Sequence, residues 1–344
     1  MDEGKKHHPL VAVVTPVHNG SPYFERTVAC VQAQTYPNLV HVVLDNASTD
    51  DTPRVISEAQ GGRVPIHSRR NSAVLPLVDN WNAAIAMTPP GAAYVKFLCA
   101  DDLIRADAIE RMVGIAEAHP NVHFVTAVDV FDDWIKTPEF EQRDSVYDGR
   151  DIMQRLLSGA VSWFPFPHLF FRVTPGRLNN PFDPTTLPAP DADFVMRLLL
   201  DGDMGFVNAP LLYTRKHAAS ATDLMGGSRL FVVTGLDRIK RYGSHVWAPS
   251  EFERNCRGGM RVLLRHVLAW RAMGQPQLSA QTLRALAELG FAPKLNDYLA
   301  AIVTWPYHKL RRRVQARGQH AAAPPTRLTE TDFLESWLGS RNAA

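Results

Sequence analysis

Four short apolar runs govern what the N-terminal third of the chain can become: residues 10–16 (LVAVVTP), 39–44 (LVHVVL), 92–98 (AAYVKFL) and 121–128 (NVHFVTAV). They are nearly continuous rather than alternating, so each reads as a strand buried on both faces, the condition met in parallel sheets. Helical openings lie between them. Ser21-Pro22 offers an N-cap and a first-turn proline, followed by Phe24, Val28 and Val31 at helical spacing. Thr52-Pro53 repeats that opening, residues 79–87 (DNWNAAIAM) read as a short helix, and another runs from Asp107 to about Ala118. The alternation predicts an α/β layered fold built on a mainly parallel sheet. Ligands of such sheets sit beyond the carboxyl ends of the strands. Here those ends carry Thr15-Pro16-Val17-His18-Asn19, Asp45-Asn46-Ala47-Ser48 and Asp101-Asp102.

Beyond residue 128 the texture changes. Proline and aromatics crowd the stretch to about residue 190 (SWFPFPHLFF, NNPFDPTTLPAPD), and periodicity is weak; from about residue 228 it becomes mostly helical. Ser250-x-x-Glu253 reads as a capping box, and residues 279–290 as a helix opening on Ser279 and stopping at Gly290. Residues 321–325 (AAAPP) read as a linker before a last helix with a docking stripe of Phe333, Leu334, Trp337 and Leu338. The 37 Lys and Arg nearly balance the 35 Asp and Glu, so no global field points to nucleic acid. Cys30, Cys99 and Cys256 have neither even number nor metal-site spacing, which argues for a reducing compartment. The start MDEGKKHHPL lacks the apolar core of a signal peptide, and no apolar run has membrane-spanning length. A cytoplasmic location is expected. The basic run at 308–320 (HKLRRRVQARGQH) reads as a solvated helix face, with weak contact to anionic headgroups as the other reading.

Chemistry concentrates in carboxylates. Asp101 and Asp102 are like charges at the end of an apolar strand, where desolvation opposes both. Either one caps the following helix, or the pair serves a hard divalent cation shared with substrate phosphates. The turn TPVHNGSP has one glycine where a dinucleotide fingerprint needs several, and neither a P-loop nor a G-x-S-x-G elbow is present.

Several motifs, in order, give the chain a closer likeness. They are Pro16-Val17-His18-Asn19, Gln34-Thr35-Tyr36-Pro37, Asp45 to Asp50, Asn80-Trp81-Asn82, Asp101-Asp102, Asp191-Ala192-Asp193 with Arg197-Leu198, and Tyr213-Thr214-Arg215-Lys216-His217. Together, over roughly residues 10–220, the sequence resembles the family 2 glycosyltransferases, inverting enzymes with the GT-A fold. The resemblance implies a Rossmann-like nucleotide-binding sheet with helices on both faces; it does not cover the C-terminal third, where the capping and periodicity predict a mostly helical extension. Together these readings divide the chain into a domain at 1–225, with a nucleotide-sugar half at 10–128 and an acceptor half at 129–225, and a helical region at 226–344.

The resemblance also assigns roles. Thr15, Pro16, Asn19 and Asn82 would line the nucleotide-sugar pocket. Asp45 would meet the base or ribose, unless it only opens a turn, as Asn46 and Ser48 are expected to do. Asp101 and Asp102 match the end of the family's metal-binding carboxylate region, with Cys99 standing where an earlier Asp is usual. Asp191 matches the catalytic base, with Pro190 in place of the usual Glu and Asp193 as its rival. Arg215 and His217 match the late element that reaches diphosphate and metal. Trp163 and His168 fall where acceptor sugars contact such enzymes, or else belong to an aromatic core. The implied activity moves a sugar from a UDP-, dTDP- or GDP-linked donor to the hydroxyl of a saccharide or small molecule, with Mn2+ or Mg2+ as cofactor. Two alternatives compete: a non-catalytic nucleotide-sugar-binding relative, and a sugar nucleotidyltransferase, which should carry a Gly-rich basic loop after its first strand.

Overall fold

A computed structural model describes residues 8–135, 140, 143–162, 164, 166–186, 189–217, 231–305 and 326–338. Strands β1 (Val11–Val17), β2 (Leu39–Asp45), β3 (Ile66–Arg70) and β4 (Tyr94–Phe97) pair in parallel in the order β3-β2-β1-β4. Helices α1 (Phe24–Gln32), α2 (Thr52–Glu58) and α3 (Leu77–Ile85) connect them. The sheet then continues through β9 (Phe170–Arg172), β6 (Val122–Phe131), β10 (Asp203–Thr214) and β5 (Leu103–Ile104). β10 runs parallel to β6, whereas β9 is antiparallel to both β4 and β6, and β5 is antiparallel to β10. The sheet is therefore mixed rather than mainly parallel, because the 170–172 segment returns between two parallel blocks. Two short strands, β7 (Trp134–Ile135) and β8 (Ser145–Tyr147), extend β6 and β10.

The unbroken apolar runs have a direct cause. Along β1, Ala12 and Val14 face a core containing α3, α5 (Gly149–Ser158) and α6 (Pro190–Asp201). Val11 and Val13 face the opposite core, which contains α1 and α4 (Ala108–Ala118). Each strand residue thus needs an apolar side chain whichever face it meets. The division drawn at residue 128 falls inside β6, and one sheet serves both halves.

Several helices start elsewhere than the sequence suggests. α1 begins at Phe24 after a cis Ser21–Pro22 bond, with Tyr23 rather than Ser21 at its N-cap. α2 begins at Thr52 with Asp51 before it, because the Thr52 hydroxyl accepts from the Gly20 amide. In the C-terminal region α7 (Phe231–Tyr242) is followed by α8 (Pro249–Ala272), α9 (Pro276–Glu288) and α10 (Leu295–Val303). Pro249 and Pro276 set the starts of α8 and α9. Ser250 consequently lies inside the first turn, and the Ser279 hydroxyl donates to the Val267 carbonyl instead of capping. The crowded stretch after residue 128 also contains a helix the pattern did not signal, α5, capped by the Asp148 carboxylate accepting from the Asp151 amide.

The helices α7 to α10 surround their own small core of Leu236, Met260, Leu263, Leu264, Leu286 and Ala301, while Tyr242 and Trp247 join the main core. Residues 326–338 return to the main sheet. The Ile135 amide donates to the Thr326 carbonyl and the Leu328 amide to the Asp133 carbonyl. α11 (Glu330–Leu338) opens on a reciprocal cap in which the Asp332 amide donates to the Thr329 hydroxyl and the Thr329 amide to the Asp332 carboxylate. Of the expected docking stripe, Phe333 is fully buried with its ring 5.4 Å from Tyr213, and Leu334 packs against the same core. The side chains of Trp337 and Leu338, the linker at 321–325, the basic run at 308–320 and the expected boundary at 225 lie outside the described residues. Among the described residues, no helix is long and apolar enough to cross a membrane.

Phe333→Ala should lower unfolding free energy by about 3–5 kcal/mol, the usual cost of truncating a buried Phe. Chemical denaturation of the full chain measures it, and a change below about 1 kcal/mol would mean that α11 does not belong to the core.

Candidate active site

The site is built on the carboxyl ends of β1, β2 and β4, and one side of it is a set of loops stitched to one another. Asn19, in the left-handed region at φ 50°, receives the Thr49 amide on its Oδ1 at 2.8 Å. Its own amide donates to Ser48 Oγ at 2.9 Å, and the Ser21 amide donates to Asp50 Oδ2 at 2.9 Å. Gly20 is required there, since a Cβ would lie 2.6 Å from Val17 Cγ2 and 2.8 Å from Phe24 Cβ. Asn19 is exposed on this rim. Thr15 is not: its side chain is fully buried, with Oγ1 3.0 Å from His41 Nε2. Burial pushes the His41 imidazole down to about 3, so it is neutral, and Thr15 and the buried Pro16 serve the strand rather than the rim.

Asp45 is also buried, and both oxygens are engaged. Oδ1 accepts from the Ser48 amide at 2.8 Å and Oδ2 from Arg70 Nη1 at 2.8 Å. It opens the turn and holds a counter-charge, so Arg70 belongs to this loop. Asn46 does more than form a turn, because its amide group fastens the 71–75 loop through Asn71 and Leu75. Asn82 departs from its expected role. Its Oδ1 accepts from the Phe182 amide at 2.9 Å and its Nδ2 donates to the Phe182 carbonyl at 2.8 Å, so its side chain holds a neighbouring segment and turns no group toward a donor.

The Asp101-Asp102 pair follows β4, and the chain itself supplies its neighbours. His217 Nε2 is 2.8 Å from Asp101 Oδ2, and the pair is partly exposed. Asp102 is buried, with Oδ1 accepting from the Arg215 amide at 3.1 Å. Burial, then the Asp101 carboxylate, pushes Asp102 well above the usual carboxylate range. Below it lies Lys96, fully buried in β4 and donating to the Pro167 carbonyl. Burial pulls its ammonium down to about 8, opposed first by Asp102. The sequence shows Lys96 inside its apolar run, and a cation there is the one signal that charge continues beneath the site. Cys99, Asp101 and Asp102 bring ligand atoms within 4.8 Å of one another. Cys99 stays a neutral thiol, its ionisation opposed by burial and then by Asp102, Asp101 and Asp191. Three carboxylates therefore act on the Cys99 thiol.

The third comes from α6. Asp191 lies in its first turn, partly buried, and its Oδ1 accepts from the Ala192 amide at 2.8 Å. Burial pushes it up to about 6, against the pull of that amide and the Arg238 guanidinium of α7. Asp193 differs. It is buried, with Oδ1 accepting from the Tyr242 hydroxyl at 2.6 Å and Oδ2 from Arg197 Nε at 3.1 Å. Of the two rivals, Asp193 is held by packing partners, whereas Asp191 is partly exposed and close enough to Cys99 to oppose its ionisation. His168 is a core residue rather than an acceptor contact, with Nδ1 2.6 Å from Thr126 Oγ1 and Nε2 3.6 Å from Asp129 Oδ2. Trp163 lies outside the described residues.

This combination of a nucleotide-type α/β sheet with a carboxylate rim is the architecture of GT-A glycosyltransferases. Residues 12–172 match the model of glycosyl transferase family 2. The Bacillus subtilis (strain 168) protein TuaG, whose name assigns it to teichuronic acid biosynthesis as a glycosyltransferase, is 32% identical over 109 residues, 30% of this chain and 41% of that protein. Chondroitin synthase of Escherichia coli is 33% identical over 107 residues, 30% of this chain and 15% of that enzyme. The chain thus spans well under half the length of these relatives. Among solved structures, S. aureus TarS 1-349 in complex with UDP-GlcNAc superimposes at a TM-score of 0.63 with 14% identity, covering 81% of this chain and 80% of that one. The mannosyltransferase PcManGT from Pyrobaculum calidifontis, in complex with GDP-Man and Mn2+, gives 0.51 with 19% identity, covering 89% and 84%. These two likenesses show the fold.

Asn82→Asp should cost about 1–3 kcal/mol of stability, since it sets a carboxylate against the Phe182 carbonyl and removes a donor. Thermal unfolding measures the loss, and titration with UDP or GDP should give affinity close to the parent's. A selective loss of nucleotide affinity without loss of stability would return Asn82 to the binding site.

Proposed function

We propose that this protein is an inverting glycosyltransferase that moves a sugar from a nucleotide-linked donor to an acceptor hydroxyl. The observation that carries the reading is Asp191, a partly buried carboxylate pushed up to about 6 and lying close enough to Cys99 to share its surroundings with Asp101 and Asp102. A base with that pKa is ionised near neutrality yet basic enough to take a proton, and such assistance is worth about 10²–10⁴ in rate. Asp191 accepts the proton of the acceptor hydroxyl as that oxygen forms its bond to the anomeric carbon. The bond from that carbon to the diphosphate breaks on the opposite face, and its electron pair leaves with the diphosphate.

Asn19, the Asp45–Ser48 turn and Arg70 form the nucleotide side. The donor's base stays open between uracil, thymine and guanine, since TarS was solved with UDP-GlcNAc and PcManGT with GDP-Man. The residues at the rim fit a divalent cation, Mn2+ or Mg2+. Asp101 and His217 present adjacent ligand atoms, and Asp102 lacks the full counter-charge that a buried carboxylate needs. A cation there would offset charge gathering on the departing diphosphate. The acceptor is a saccharide or small-molecule hydroxyl.

Transfer from a panel of UDP-, dTDP- and GDP-sugars tests the reading. Activity should climb as pH rises through about 6 and level off above it, because Asp191 must be ionised. Asp191→Asn should keep donor binding and lose about 10²–10⁴ of the rate. Asp193→Asn should act through stability instead, by weakening the Tyr242 and Arg197 contacts. Loss of turnover confined to the Asp193 variant would reverse the assignment. Donor binding with no turnover in the parent would make the chain a binding relative.

A further inference from the structure

Arg215 reaches the rim from the end of β10, but its guanidinium points to the C-terminal helix. Nε donates to Glu330 Oε2 at 2.9 Å and Nη2 to Glu330 Oε1 at 2.5 Å, a bidentate pair across a sequence separation of 115 residues. Nη1 donates to the Asp101 carbonyl, while the Arg215 amide donates to Asp102 Oδ1. One residue therefore grips both members of the carboxylate pair through its backbone and side chain, while its Nε and Nη2 close on Glu330. The Arg215 guanidinium also lies 5.2 Å over the Tyr23 ring, which is itself 4.7 Å from the His217 ring.

Glu330 is more than an ornament of the surface. The side chains of Arg215 and Glu330 are only 6% and 20% exposed, and Arg26 Nη1 adds a second donor at 2.6 Å. Exposed pairs contribute little, but removing one partner of a desolvated bidentate pair leaves a buried charge that must move or find water. α11 does not depend on this pair to stay in place. Asp133 holds the segment through the Glu330 amide and Arg327, and Phe333 is buried against Tyr213.

We infer that Glu330 is a positioning residue of the active site: its carboxylate holds the Arg215 guanidinium on the Asp101 carbonyl and so fixes the Asp101–Asp102 turn and His217 in the arrangement that receives a diphosphate. This revises the part expected of Arg215, which becomes a strut beneath the diphosphate site with three of its five N–H groups committed within the chain. The diphosphate half of the inference rests on the glycosyltransferase reading; the positional half does not.

Two readouts on the full-length Glu330→Gln variant separate them. Amide exchange at Arg215 should quicken by about tenfold or more, because the amide bond to Asp102 loses its support. Calorimetric affinity for UDP or GDP with Mn2+ should fall by about tenfold, while affinity for uridine or guanosine stays at the parent's value. Glu330→Asp keeps the charge but draws it back by one methylene, so it should fall between the two, and it replaces the Gln variant if that one fails to fold. Parental exchange at Arg215 overturns the inference outright. Faster exchange with parental diphosphate affinity overturns its functional half and leaves Glu330 a stability contact. A parent that binds neither nucleoside diphosphate overturns the glycosyltransferase reading together with that functional half, and exchange at Arg215 then decides the positional half alone.

Discussion

The burial of the sheet on both faces is the constraint from which the site follows. β1 has β2 on one side and β4 on the other, in parallel register, and Val11 to Val14 have no exposure at all. Polar side chains cannot sit along such strands without partners, so recognition chemistry is displaced to the strand ends. The register aligns Val17 with Asp45 and Asp45 with Arg70. The loops after β1, β2 and β3 therefore emerge side by side and fasten to one another through Asn19, Ser48, Asn46 and Asn71.

Where polar groups do enter the interior, they come as a connected set. Lys96, Asp102, Asp129, His168 and Arg215 occupy neighbouring positions beneath the rim, each tied to a backbone group or to another member. Charges placed in low dielectric interact over longer distances than surface charges do. The titration of Asp102 is thus a property of this set, with Asp101, Asp129 and Arg215 all contributing.

The parts of this arrangement that could be read from the sequence are those governed by local pattern. The apolar runs announced β1, β2, β4 and β6, and their ends marked the loops that carry Asp45 and Asp101-Asp102. Residues whose roles depend on a distant backbone partner were not legible. Asn82 sits in a motif, yet Phe182, exactly one hundred positions on, decides what its amide does. His168 has the composition of a sugar contact, but Thr126 and Asp129 claim its ring. Caps misled for a related reason: the Thr52 hydroxyl looked like a local signal and is engaged instead by Gly20 from the preceding loop. β3 escaped notice because only Ile66 among its residues is buried, leaving no apolar run to see.

The tie between Arg215 and the segment at 326–338 also bears on the order in which the molecule is made. Synthesis proceeds from the N-terminus, and domains commonly begin folding as they emerge. The ten strands of the described residues lie within residues 11–214, so they are all present in the nascent chain before Thr326 to Phe333 have been added. During that interval Arg215 has Asp101 and Asp102 beside it but no Glu330, and the surface around Tyr213 that will bury Phe333 is open. Contacts this far apart in sequence form late because chain closure must be met first. Completion of the rim therefore waits on translation of residues 326–338, and not only on assembly of the sheet that carries it.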